Sequence, residues 1–381
     1  MRIHRVWRQR LMYALAALAV ASGYSYFALA VGGCHLPVWQ RLGGPDAFDW
    51  GPTLRLGVAN VELRQHVTSR GWCPLTAGGE SPTPPTLETL SPMSTLEPGV
   101  DHIGWKVAPG AAVEEVPNIV HFVYALKKGA PFGLLHYAAV LAAKRRIRPA
   151  RILFHVGHEP QGHWWRKASE MVEVAQARDV RTVFGMPVRK IAHKADVVRL
   201  EALIKHGGIY LDMDVLALHP FDALRKMPQG TVLGFEGGDS GLCNAVMIGA
   251  PNAPFLRRWY LEYQRFSGQM WSEFSVKLPL LLARSFPDEV QMVPDRAFFY
   301  PHFDAASLSA MYLREDAALK AHFARKSTYT VHLWSSQSTA FASANAGYSP
   351  WLLNSTEFKR LQARRPSSFL ALVQSVLAAS E

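Results

Sequence analysis

From residue 116 onward, short continuous apolar runs alternate with stretches in which apolar residues recur every three or four positions. An apolar run of four to eight residues bounded by turn formers predicts a strand buried on both faces; the second pattern predicts a helix with one buried side. Val116–Ala125, bounded by Pro117 and Lys127-Lys128-Gly129, is a predicted strand, as are Arg151–Gly157 and Val180–Phe184. Leu134–Arg146 and Trp164–Ala177 are predicted helices. Ala195, Val198, Leu200, Leu203 and Ile204 predict a helix over Lys194–His206. Gly207-Gly208 ends it, because glycine accepts the left-handed conformation past a helix terminus. Ile209–Leu211 then reads as a short buried strand running into Asp212-Met213-Asp214. Beyond it, Val232–Glu236, Leu242–Ile248 and Thr328–Trp334 are predicted strands. Ala253–Phe266, Phe274–Ala283, Glu357–Arg364 and Ser368–Leu377 are predicted helices. Strands alternating with helices over short connections predict an α/β fold with a mostly parallel sheet. Ligands in such sheets sit beyond the carboxyl ends of the strands, where Tyr124 and Asp212 both fall. No Gly-x-Gly-x-x-Gly follows the first strand, so a dinucleotide-binding fold has no support.

The amino-terminal part follows a different pattern. Arg2, Arg5, Arg8 and Arg10 precede an uncharged run, Leu11–Val31. At 1.5 Å rise per residue a run of about twenty residues spans a hydrocarbon core of roughly 30 Å. Basic residues before it predict a cytoplasmic amino terminus. The run exceeds the roughly 7–15 apolar residues of a secretory signal, so a single-pass anchor is favoured over cleavage near Ala28-Leu29-Ala30. The expected organisation is a cytoplasmic tail (1–10), a signal anchor (11–31), a stem (32–113) and an α/β domain (114–381). Within the stem, Leu54–Val67 carries enough apolar residues to be ordered, whereas Thr76–Gly99, with Pro82, Pro84, Pro85, Pro92 and Pro98, reads as linker.

Composition adds bounds. The 381 residues are 49% hydrophobic and 19% charged, which is globular rather than disordered. The net charge of +11 admits an anionic substrate or membrane surface. No basic run interleaved with aromatics stands out, so a nucleic-acid partner is not expected. Cys34, Cys73 and Cys243 form no Cys-x-x-Cys pair; Cys34 and Cys73 could pair in an oxidising lumen, with Cys243 a buried thiol. Asn354-Ser355-Thr356 is a glycosylation sequon, usable if that end is luminal.

The chemistry concentrates at Asp212-Met213-Asp214. In an extended strand both carboxylates face one way, their Cα atoms roughly 7 Å apart. Metal–oxygen bonds span only about 2.0–2.6 Å, so both reach one ion directly only if the chain bends; otherwise one binds it and the other acts through water or a substrate hydroxyl. Paired carboxylates suit a hard cation, Mn²⁺ or Mg²⁺, and through it a diphosphate. An isolated Asp-x-Asp is more often a polar turn, but this one stands in a longer block: Lys194-Ala195-Asp196, Arg199, Gly207-Gly208, Tyr210, Asp212 and Asp214. That block resembles the sugar-nucleotide-binding region of family 32 glycosyltransferases, a group including fungal mannosyltransferases, inositol-phosphoceramide mannosyltransferases and α-1,4-galactosyltransferases. It also resembles the related bacterial toxin glucosyltransferases. The resemblance is firm over 117–258 and thin beyond; Lys194 is a modest departure from the pattern.

The resemblance implies a nucleotide-sugar transferase domain of the A type (GT-A) that moves a hexose from a nucleoside-diphosphate sugar to a glycan or glycolipid hydroxyl, with retention of configuration. In a Golgi or endoplasmic-reticulum membrane the domain would be luminal. It also implies that Val123 and Tyr124 end the first strand against the nucleotide base. Asp196 would contact a donor-sugar hydroxyl, Arg199 a phosphate, and Tyr210 would support the site. Asn244 is the candidate on the sugar or acceptor side. His332 and Trp334 match a late His–Trp element that closes over diphosphate and metal, which makes His332 a third candidate ligand beside Asp212 and Asp214. The competing expectation is a catalytically silent subunit that binds sugar nucleotides or glycans. For Asp196 and Arg199 the plain alternative is an i,i+3 surface pair. Two other motifs are set aside. Gly238-Asp239-Ser240-Gly241, with His193 and Asp212, mimics a protease triad, but an α/β chain with these residues so close in sequence lacks that scaffold. His158-Glu159-Pro160-Gln161-Gly162-His163 misses the zinc-helix spacing, and its Pro and Gly oppose a helix.

Overall fold

The structure is a computed structural model; it describes residues 115–237 and 240–378 in full and, amino-terminal to them, only the backbone of two strands. Those two, Tyr24–Val31 and Cys34–Arg41, form an antiparallel hairpin. Most of the expected anchor helix and the stem lie outside the described residues, as does Cys73. The last eight residues of the 11–31 run are strand rather than helix; Tyr24, Tyr26, Phe27 and Val31 are aromatic or β-branched, as strands prefer. Among the described residues no helix is long and apolar enough to cross a membrane.

The carboxyl-terminal unit is built on a seven-stranded sheet. Its first strands are β1 (Ile119–Tyr124), β2 (Arg151–Val156) and β3 (Glu173–Gln176). Then come β4 (Gly208–Leu211), continued past a turn by the short β5 (Val215–Ala217), and β6 (Thr231–Phe235). β7 (Leu242–Gly249), β8 (Gln291–Val293) and β9 (Thr330–His332) complete the set. The spatial order is β8-β6-β7-β4-β1-β2-β3, with β7 alone antiparallel to its neighbours, so the mostly parallel α/β fold expected from the alternation is present. β7 is buried at all eight positions, which is why it is a continuous apolar run. β5 and β9 pair separately, antiparallel, with His332 opposite Val215.

Two expected elements are corrected. The helix expected over 164–177 stops at Ser169 (α2, His163–Ser169, after α1, Leu134–Ala142), and Glu173–Gln176 becomes the edge strand β3. Edge strands need no apolar run, and this one is mostly exposed and polar, so its signal is invisible to hydrophobic periodicity. Arg151 fastens it with a two-pronged bond to Glu173, Nη2 to Oε2 at 2.6 Å. The strand expected over 180–184 is only Thr182–Val183 of a small ribbon with Met186–Pro187, reversed through Phe184 and Gly185 at positive φ.

The central helix α3 (Ile191–His206) packs between the sheet and a later helix, α4 (Pro254–Leu261). Its end is set by Gly207, whose N–H donates to the Leu203 carbonyl at 2.8 Å with φ +61°. Gly208 follows at φ +118°, where a Cβ would lie 2.4 Å from the Ile119 carbonyl oxygen. Two consecutive positive-φ residues turn the chain from α3 into β4, which is the local reason for Gly-Gly here.

Candidate active site

β4 ends at Leu211 and the chain then turns instead of extending. The Asp212 N–H donates to Ala245 of β7 at 2.9 Å, and the Val215 N–H donates back to the Asp212 carbonyl at 3.0 Å. This bend changes the geometry of the carboxylate pair. One ligand atom each from Asp212, Asp214 and His332 lies within 4.8 Å of the others. The bend that direct two-carboxylate binding requires is therefore present.

Each ligand is held from behind. Asp212 Oδ1 accepts the Tyr210 hydroxyl at 2.5 Å and lies 3.2 Å from Arg199 Nη1. Asp214 Oδ2 accepts the Ser335 N–H at 2.9 Å, its carbonyl accepts the Leu333 N–H at 2.8 Å, and Oδ1 sits 3.2 Å from His332 Nε2. Burial pushes the Asp212 carboxyl above its usual range, against the pull of Arg199. Burial acts the same way on Asp214, but His332 and the Ser335 N–H outweigh it and hold that carboxyl well below. Burial opposes charge on His332, yet Asp214 raises it on balance.

Arg199 organises the floor. Its Nη1 donates to the Asn244 carbonyl at 2.8 Å and to Asn244 Oδ1 at 3.0 Å, and its Nε donates to the Ala195 carbonyl at 3.3 Å. Its guanidinium carbon lies 4.5 Å from the Tyr210 ring centre, a cation–π contact. Asp196 Oδ1 accepts Asn244 Nδ2 at 2.7 Å and is 3.5 Å from Arg199 Nη2. Asp196, Arg199 and Asn244 are all buried, so the Asp–Arg pair is not a surface pair. Most Arg199 donors are engaged inward, which suits holding Asp212 and Asn244 better than reaching out to a phosphate.

The remaining candidates lie around this floor. Val123 is buried at the end of β1. Tyr124 is half-buried, its hydroxyl donating to the Pro131 carbonyl at 2.5 Å and its ring packed on His136 and Phe132. Trp334 is buried with its ring 4.0 Å from His332 and its indole N–H on the Pro301 carbonyl at 2.8 Å. It adopts φ +51°, which starts the helix supplying the Ser335 N–H. The protease decoy dissolves: His193 packs on Phe266 and Trp271, whereas Asp212 is bound by Arg199 and Tyr210. Just before the His158–His163 motif, His155 is buried and bonded to His121 at 3.0 Å.

One residue escaped sequence reasoning. Glu236 follows β6 at the same end of the sheet as Asp212, with β7 between the two strands. Burial raises its carboxyl, partly offset by Cys243, His332 and His302 nearby. A carboxylate as the last residue of the strand expected over Val232–Glu236 was a readable signal, though a weak one.

The donor set fits a divalent cation. Asp196 and Asp212 share one arginine while Asp214 pairs with His332, so carboxylates outnumber fixed cations, and His332 Nδ1 is buried without a hydrogen-bond partner. Two carboxylate oxygens with an imidazole nitrogen suit Mn²⁺, with Mg²⁺ favouring an all-oxygen set.

Comparison with known proteins agrees with the geometry. Residues 158–230 match the family described as "Glycosyltransferase sugar-binding region containing DXD motif". The chain is 36% identical over 243 residues to "Glucan organizing enzyme 1" of Cryptococcus neoformans var. grubii, covering 60% of this chain and 65% of that protein's length. An uncharacterized Arabidopsis thaliana protein is 40% identical over 73 residues, 19% of this chain and 11% of its own. Among solved structures, the PaToxG glycosyltransferase overlaps 69% of this chain and 88% of its own at 13% identity and a TM-score of 0.35. GlyE of Streptococcus pneumoniae overlaps 68% and 62% at 11% identity and 0.38. These overlaps are too loose to bear on function. The site thus belongs to the class of DXD sugar-binding regions. The motif match and the fungal relative make the chain similar to family 32-like glycosyltransferases, though it spans just under two thirds of that relative's length.

Proposed function

We propose that this protein transfers a hexose from a nucleoside-diphosphate sugar to a hydroxyl of a glycan acceptor, through a GT-A type domain with retention of configuration. The observation that carries the reading is the bend at Asp212–Asp214, which brings two carboxylates of the DXD region together with His332 from outside it. Bound there, Mn²⁺ or Mg²⁺ supplies positive charge against the departing diphosphate. The chain's own residues prepare that place. Tyr210 and Arg199 fix the Asp212 carboxylate, and the Ser335 and Leu333 N–H groups fix Asp214. Ordering them beforehand avoids reorganisation during the reaction. Asp196 and Asn244, tied to each other, present polar edges where a donor-sugar hydroxyl would lie. Trp334 covers His332 and keeps water from that side. Tyr124 and Val123 close the crevice at the end of β1, where the base would sit. The same reading takes this domain as luminal in the secretory pathway, on the basic residues and apolar run at the amino terminus.

The test is donor hydrolysis by the full chain across UDP- and GDP-hexoses, with Mn²⁺ and with EDTA. Breakdown of one donor is expected, lost with EDTA and reduced at least about a hundredfold in Asp214→Asn, a loss of about 2.7 kcal/mol of transition-state stabilisation. A fully active Asp214→Asn would refute the ligand assignment. A folded protein that binds but never cleaves any donor would be a silent binding subunit instead.

A further inference from the structure

The loop Ser267–Ser272 reads Ser-Gly-Gln-Met-Trp-Ser. Its base is firmly held. Phe266 is buried among Tyr263, Phe274 and His193, and Gly268 turns the chain at φ +65°. The Ser267 hydroxyl bonds the buried Glu273 carboxylate at 3.3 Å, and the Trp259 indole N–H donates to the Phe274 carbonyl at 2.8 Å. Yet Trp271, on this fixed base, is 66% exposed, and Met270 beside it 38%. Ile191, first residue of α3 and two before His193, is 45% exposed. Single exposed apolar residues are ordinary, but a largely exposed tryptophan on a held loop beside the amino-terminal turn of α3, where Ile191 is also exposed, is a candidate binding surface.

Two separate contacts place this loop at the rim of the candidate site. The Trp271 ring lies 6.0 Å from the ring of His193, which is one helical turn before Asp196 on the same face of α3. The segment after the loop covers the turn into β7: a Cβ on Gly241 would lie 2.3 Å from the Val276 carbonyl oxygen, three residues before Asn244. Trp271 at the surface is thus linked inward to the carboxylate pair through the buried side chains of His193, Asp196 and Asn244.

We propose that Trp271 is the platform on which a pyranose ring of a neutral glycan acceptor stacks, so that the loop 267–272 selects the acceptor; this rests on the transferase reading above. A hexopyranose has one face of C–H bonds and a rim of hydroxyls. A tryptophan offers a large rigid apolar face at small entropic cost and suits a surface that is apolar on one side and wet on the other. The loop carries no charged side chain, which favours a neutral sugar over an anionic headgroup. Its place beyond Asp196 puts the stacked ring next to the donor sugar rather than against the diphosphate.

The experiment compares the full-length protein with Trp271→Ala and Trp271→Phe. It uses the donor found by hydrolysis and, as acceptor probes, methyl hexopyranosides and short gluco-oligosaccharides. The alanine variant should raise the acceptor KM about tenfold, the scale of one lost aromatic stack, while the donor KM and hydrolysis without acceptor move less than about twofold. The phenylalanine variant should recover most of the loss. An unchanged acceptor KM in Trp271→Ala overturns the proposal, as does a donor KM that rises as much. A wild-type protein that hydrolyses donor but transfers to none of the neutral saccharides overturns the neutral-glycan assignment. A wild-type protein that hydrolyses no donor fails the transferase reading instead, so the two failures are distinguishable.

Discussion

The entry into the carboxylate strand is locked by a pair of buried histidines, and the pair sets a pH dependence of stability. His121 Nε2 lies 2.8 Å from the Gly207 carbonyl, which can only accept, so that nitrogen carries a proton. His121 Nδ1, 3.0 Å from His155 Nε2, must then accept from it. Burial holds both rings neutral, which is what leaves His121 Nδ1 free to accept. Burial, the facing His155 ring, His206 and Arg151 push His121 down to about 3; burial, His206 and Lys205 push His155 to about 4. The ordinary value is 6.5. Because the folded values are depressed, the pair's contribution is full above pH 6.5 and declines as pH falls below it, where only the unfolded chain takes up protons. Each ring costs up to about 1.36 kcal/mol per pH unit, so both lose roughly 4 kcal/mol by pH 5. That corresponds to a melting temperature lower by roughly 8–16 °C. His155→Gln keeps an N–H to donate to His121 but removes one titrating ring. Thermal denaturation of wild type and variant between pH 7.5 and 5 checks this: the gap should close as pH falls, by about 2 kcal/mol at pH 5. Parallel curves would refute the neutral-pair assignment, as would an imidazole resonance of His121 titrating near 6.5.

Two further outcomes are expected. Gly208→Ala should destabilise the domain by at least about 2 kcal/mol, because its Cβ meets the Ile119 carbonyl at 2.4 Å and its φ is positive; chemical denaturation measures it, and a neutral result would mean the β1–β4 contact yields easily. Tyr124→Ala should raise the donor KM about tenfold by removing a face for the base, whereas Tyr124→Phe should leave it unchanged, since the hydroxyl is tied to Pro131; equal effects of both would exclude stacking.

What could be read from the sequence was local. Helix, Gly-Gly stop, strand and carboxylates from 194 to 214 are contiguous, and each step has its own residue signature. β1, β2 and β7 are apolar throughout because both faces are covered, so they stand out without any alignment to partners. The edge strand β3 did not, since it satisfies hydrogen bonds without burying an apolar row. Phe184 at positive φ likewise gave no warning that its segment reverses into a ribbon, because an aromatic residue rarely adopts that conformation.

The site itself depends on a longer-range fact. Asp212 and Asp214 share a ligand position with His332 only because the chain bends at 212–214 and β9 then pairs with β5 across more than a hundred residues. Resemblance nominated His332; no local pattern could. The same pairing delivers the Ser335 N–H to Asp214 as the first turn of a helix begins, so one antiparallel contact of three residues positions a ligand, its hydrogen-bond donor and the Trp334 cover together. Glu236 and Trp271 depend on the fold in the same way, one through strand order and the other through a loop seated on α3. The tertiary structure therefore adds a third ligand beside the pair, a carboxylate across β7 and an aromatic face at the rim. Of these, His332 extends the carboxylate cluster that the contiguous motif begins, and only the aromatic face at Trp271 belongs to the proposed acceptor side.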